Sequence, residues 1–122
     1  MSHGFPFYAE VVSADASGGV VFTLYRPDIS FTGATITAYT LAATEFLVVT
    51  DYAIVRTASG AAAIVGASDA AGSRLIKGVF AANGGIVHNL HTPHEFPVGV
   101  TPKLIADAGD VRAFLHGFIN EA

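Results

Sequence analysis

The chain has no cysteine and no tryptophan, and only six lysines and arginines in 122 residues. Without cysteine there is no disulfide framework and no thiolate metal site. With so few cations and a formal net charge of −4, nothing clusters against phosphates, so nucleic acid is not an expected partner. Long apolar runs are missing as well. A spanning helix needs about 20 consecutive apolar residues, and the richest stretches are interrupted by Glu45, Asp51, Arg56 and Asp69. The opening MSHGFPFYAE lacks the basic start and apolar run of a signal peptide. No membrane partner is expected.

What is abundant is apolar. Ala, Val, Ile, Leu, Met, Phe and Gly make up 59 % of the chain, where globular domains hold about 45–50 %. Charged residues are 13 %, about half the usual ~25 %. A chain this short has little polar material to cover its own surface, so burial against other chains is expected.

Thirteen valines, eight isoleucines and 13 aromatics, with turn signals at short intervals, favour strands. The reading gives strands over Phe5–Ala14, Val20–Pro27, Ala34–Ala43, Glu45–Arg56, Ala61–Ala67, Ser73–Ala81, Ile86–Leu90, Lys103–Ala108 and Val111–Ile119. Turns fall at Asp15–Gly19, Ser59-Gly60, Asn83-Gly84 and Gly109-Asp110, with Asn83-Gly84 the best hairpin signal because both residues tolerate positive φ. Such spacing points to a sandwich or barrel. Several strands are apolar on both faces. In Glu45–Arg56, strict alternation puts Phe46, Val48, Tyr52 and Ile54 on one face and Leu47, Val49, Ala53 and Val55 on the other. In the last strand Val111, Ala113, Leu115 and Ile119 oppose Phe114 and Phe118. A sheet with one wet face would alternate apolar and polar, so a subunit interface is expected, with Phe114, Phe118 and Tyr52 as its candidates.

The segment from Glu45 to Ile119 carries FLVVTDYAIV, a Ser-Gly turn, GSRLIKGVFAANGGIVHNL, a proline-containing loop and a closing PKLIADAGDVRAFLHGFI. In that order these resemble small jelly-roll modules of tailed-bacteriophage structural proteins. The resemblance implies an all-β jelly-roll sandwich of about eight strands, tumour necrosis factor-like and trimeric, with a structural or adhesive task. It implies a homotrimer in the virion, decorating a capsid by binding the major capsid protein or another virion protein. A tail-fibre or spike receptor-binding knob is the alternative. Neither role is enzymatic, and no cofactor is expected. The domain would span residues 1–122, with residues 1–9 as a candidate N-terminal arm whose partner-binding residues are Phe5, Phe7 and Tyr8.

The histidine-rich HNLHTPHEF, His88 to Phe96, raises a competing class. A metal-dependent cupin resembles G-x5-H-x-H-x3,4-E-x6-G, and GGIVHNLHTPHEFPVG looks similar. His-x-His puts both imidazoles on one strand face. Here the spacing is His-x-x-His, and His116 is the only later histidine. The expectation is therefore a proline-bounded surface loop without a metal. Were a metal held, His91, His94 and Glu95 would be its ligands, or one histidine, His88 or His116, repeated about a threefold axis. Asp51, in an apolar strand, is expected to pair with Arg56 or Arg74 or to sit at a bulge. Arg74 and Lys77, at odd spacing, are expected on opposite faces.

Overall fold

The computed structural model describes residues 4–12, 19–57, 59–66, 74–106 and 111–122. The turn signals at 15–18 and 109–110 and most of GASDAAG lie outside the described residues, as do the side chains of Arg74 and Lys77. The described strands are β1 (Phe5–Val12), β2 (Val20–Val21), β3 (Thr23–Tyr25), β4 (Phe31–Thr32), β5 (Thr35–Ile36), β6 (Glu45–Arg56), β7 (Gly60–Val65), β8 (Arg74–Phe80), β9 (Gly85–Glu95), β10 (Lys103–Ala106) and β11 (Val111–Glu121).

The protein is all-β. A five-stranded antiparallel sheet in the order β3-β1-β11-β6-β9 faces a four-stranded antiparallel sheet in the order β2-β10-β7-β8, and β4-β5 form a separate hairpin. The sheets enclose one core in a sandwich-like arrangement. Phe7, Ala9, Leu47, Ile54 and Leu115 from the larger sheet meet Ile64 and Leu104 from the smaller, all at most 2 % exposed. Such burial supplies about 1.5–3 kcal/mol for each large apolar side chain. β11 alternates as its sequence predicts: Val111, Ala113, Leu115 and Ile119 are buried, Phe114 and Phe118 point out.

Four expectations are revised. Strand β6 does not alternate strictly. Thr50 and Asp51 together oppose His116, so a bulge shifts the phase, and Leu47, Val49, Tyr52 and Ile54 all point into the core. Asp51 thus sits at a bulge, where the Thr50 hydroxyl donates to its carboxylate at 2.9 Å. Glycine is required opposite this bulge: a Cβ on Gly117 would lie 1.9 Å from the Val48 carbonyl oxygen.

The Asn83-Gly84 signal does make a turn, with Asn83 at φ 56° and the Gly84 amide donating to the Ala81 carbonyl at 3.0 Å. Yet β8 and β9 belong to different sheets, so the turn carries the chain across the sandwich and closes no hairpin. Val20–Pro27 is also split between sheets: β2 pairs with β10, and β3 pairs with β1. Finally, Ala34–Ala43 is not a sheet strand. Thr35–Ile36 folds back on Phe31–Thr32 through Gly33, at φ 60°, and Tyr39 makes an isolated bridge with Leu24.

Candidate interface on the five-stranded sheet

The outer face of the larger sheet follows from the alternation of its strands. Because Phe7, Ala9 and Val11 are buried, Tyr8 and Glu10 of β1 point away from the core. The register then sets Tyr8 opposite Tyr25 on one side and His116 on the other, and Glu10 opposite Phe114. The rings form a stripe from the β4-β5 hairpin across three strands of the sheet, β3, β1 and β11. Phe31 to Tyr25 is 5.9 Å between centroids, Tyr25 to Tyr8 is 6.0 Å and Tyr8 to Phe114 is 6.3 Å, all near parallel. His116 lies 5.1 Å from Tyr8, tilted. These spacings suit offset aromatic pairs, worth about 0.5–1.5 kcal/mol each beyond burial. Tyr8 keeps its proton more tightly than usual, chiefly because burial disfavours the phenolate and also because Glu10 is near.

Beyond the stripe the apolar side chains shrink, and exposed Arg112, opposite Val55, adds a cation at the border. Ala53 lies opposite Phe114 and Val87 opposite Ala53, while Val55 lies opposite Gly85. Phe118 is 39 % exposed, Val55 46 % and Val87 83 %. Monomers seldom leave a contiguous apolar surface of this kind without a use.

At the other end of the stripe the hairpin β4-β5 stands off the sandwich. Residues 31–38 are all exposed. Phe31 and Ile36 are cross-strand partners on one hairpin face, and Thr32 and Thr35 are partners on the other. Its base is pinned by polar contacts. The Arg26 guanidinium donates to Asp28 through Nε at 3.0 Å and through Nη2, and lies 3.7 Å from the Phe5 ring centroid. This pairing holds Asp28 below the usual carboxylate range and Arg26 above its own. The Tyr39 hydroxyl donates to Glu45, 2.7 Å from Oε1 and 2.9 Å from Oε2, and the Ala42 amide adds a third contact at 2.9 Å. Burial, then the Glu45 contact, raises the Tyr39 phenol.

The histidine-rich segment is not a free loop. It continues as β9 to Glu95. Val49 pairs with His94 and Asp51 with Asn89, so the residues between Asn89 and His94 bulge out of the sheet edge opposite Thr50. His88 and His91 are exposed, and the His88 Nδ1 is 3.3 Å from the Tyr52 hydroxyl. His94 is half-buried edge-on to Phe96 at 4.8 Å, and burial lowers its pKa. Glu95 is exposed and opposite Val48 on the outward side. Among the described residues no three of His, Asp and Glu are grouped as metal ligands would be.

No family model and no curated protein sequence matches the chain. The site residues must therefore be judged by placement. Phe114 and Phe118 lie together on the outer face. Tyr52, at 5 % exposure, is under its own sandwich because of the β6 bulge. Residues Phe5–Val12, placed by sequence partly in an arm, run as β1 beside β11 along their whole length. Phe7 is in the core, Phe5 is capped by Arg26, and Tyr8 is in the stripe. Sequence reasoning missed Phe31 and Ile36. The available signal was FTGATITAY, Phe31 to Tyr39, an uncharged stretch with a glycine, Gly33, placed to turn it. Among the described residues there is no helix long and apolar enough to cross a membrane.

Proposed function

We propose that the protein is a virion structural protein of the tailed-bacteriophage kind, a jelly-roll homotrimer that decorates a capsid lattice. The observation that carries this is the exposed aromatic and aliphatic outer face of the five-stranded sheet, which suits cover by another subunit. The strand order supports the jelly-roll part. With β2 and β3 taken as one strand turning a corner, and the β4-β5 hairpin set aside, eight strands remain. Their pairings are nested: first with last, second with seventh, third with sixth, fourth with fifth. A long hairpin rolled onto itself gives this scheme.

A trimer suits a repeating lattice on energetic grounds. Once one subunit is docked, the other two act at high effective concentration, so three weak contacts hold firmly together. The role is tested by mixing purified protein with shells assembled from the capsid protein encoded beside it and sedimenting them. The reading predicts that the protein travels with the shells as a trimer and that a monomerising Phe118→Asp variant stays behind. A trimer that ignores the shells but binds cell-surface glycans would move the role to a receptor-binding knob. A monomer that binds neither would sink both.

A further inference from the structure

The two ends of the outer face differ in a way that fits one copy onto the next. At the β3 edge stand bulky groups: Tyr25, and Phe31 and Ile36 on the projecting hairpin, where Ile36 is 65 % exposed. Toward the β9 edge lies a shelf of small groups, Ala53, Val55, Gly85 and Val87, bordered by exposed Arg112 opposite Val55. Large groups set against small ones interdigitate, whereas large against large leave gaps. The hairpin itself has only two paired residues on each strand. A ribbon so short is not stable by its own pairing, and beyond the stacking of Phe31 on Tyr25 its apolar face stays exposed among the described residues.

We infer that the subunits associate head to tail, the β4-β5 hairpin of each clasping the small-residue shelf beside β9 of the next. This rests on the homotrimer proposed above and adds to it the element that joins the subunits. A second copy is the fitting occupant for three reasons. From Ile29 to Thr44 the chain carries no charge, so the hairpin meets no repulsion from a protein of net charge −4. The matching surface is on the same chain and at the opposite edge of the same sheet, so the contact is heterologous, and it closes into a ring where the rotation between successive copies returns the third to the first. The size suits a contact that is weak one at a time. Strands of 3, 8, 11, 12 and 11 residues, at about 3.4 Å per residue and about 4.8 Å apart, present about 730 Å². With the hairpin, a contact on this face falls in the class of weak interfaces below about 1,200 Å².

Because the protein has no cysteine, cross-linking gives a clean answer. The double variant Ile36→Cys/Val87→Cys is compared with each single variant, using a short bismaleimide reagent and denaturing gels. Both sites are exposed, at 65 % and 83 %, so neither change removes core. Within one chain the β3 and β9 edges are separated by about 19 Å, beyond the reach of a short linker. The double variant is expected to give two-chain and closed three-chain products, and the single variants none. Ile36→Cys alone giving a dimer would mean that hairpin meets hairpin, and would overturn the inference. So would a double variant that stays uncross-linked while native mass remains trimeric, which leaves the trimer itself standing. A monomeric parent protein would overturn both. As a second reading, Ile36→Asp should weaken assembly at least tenfold, while Thr35→Asp, on the other hairpin face, should leave it unchanged. Equal effects from the two would count against the clasp.

Discussion

The two sheets present different surfaces to the outside, although both carry apolar groups there. On the five-stranded sheet the outward groups include Tyr8, Phe114 and Phe118. On the four-stranded sheet, where Leu104, Ala106, Ala62 and Ile64 point inward, the outward groups include Ala61, Ala63, Lys103, Ile105 and Val79, and no aromatic ring among those of β7 and β10. Hydrophobic pattern alone does not separate them; size does. An alanine exposes little area and a lysine carries its charge into water over an apolar stem. A phenylalanine left in water forgoes about 1.5–3 kcal/mol of burial. The larger sheet therefore gains far more from a neighbour.

The strongest way to break this comparison is to place a charge on each face. Phe118→Asp should dissociate the assembly, since an unpaired charge in an interface is unfavourable by several kcal/mol, about 3–5. Val79→Asp, on β8 and 81 % exposed, should leave the oligomeric state unchanged and shift stability by less than about 0.5 kcal/mol. Sedimentation velocity reads the oligomeric state of the two variants, and urea unfolding reads the stability. Dissociation by Val79→Asp with Phe118→Asp intact would reverse the roles of the faces.

Next in size is Gly117→Val. Both surfaces of β11 depend on its close approach to β6, and the added side chain would press on the Val48 carbonyl. A loss of about 3 kcal/mol, the top of the overpacking range, is expected in urea unfolding. A variant as stable as the parent would show that the β6 bulge can relax. Smaller is Tyr39→Phe, which removes the hydroxyl from Glu45 at the hairpin base. A loss of about 1.5 kcal/mol is expected, with weaker assembly, and no comparable effect on assembly should follow a change at Ala63.

The smallest effect concerns pH. Burial holds His94 below its ordinary value, opposed by Glu95. The unfolded chain then takes up this proton first, near pH 6.5. The stability present above that pH declines as pH falls, until folded His94 protonates too. Thermal melting between about pH 7.5 and 5.5 should show that decline, and His94→Gln should lack the part due to this residue. An identical slope in the variant would assign it elsewhere.

Much of the architecture was legible because β-branched and aromatic residues with frequent turns leave few alternatives to a two-sheet protein. The faces of β11 could be read because the strand has no inserted residue. Those of β6 could not, since Thr50 breaks the period through a bulge that depends on its partner strand. The Asn83-Gly84 pair encodes a local positive φ and not which sheet the next strand joins. Phe5, Phe7 and Tyr8 read alike in sequence, yet one is capped, one is in the core and one is outside. Nothing local to FTGATITAY says that it stands off the sandwich, because exposure is set by what the rest of the chain leaves uncovered.

The central claim is that the aromatic face is covered by other copies of the chain. Native mass spectrometry of the parent protein at micromolar concentration tests it most directly. The account predicts one dominant species at three times the 12.6 kDa chain mass. A single species at 12.6 kDa would contradict it.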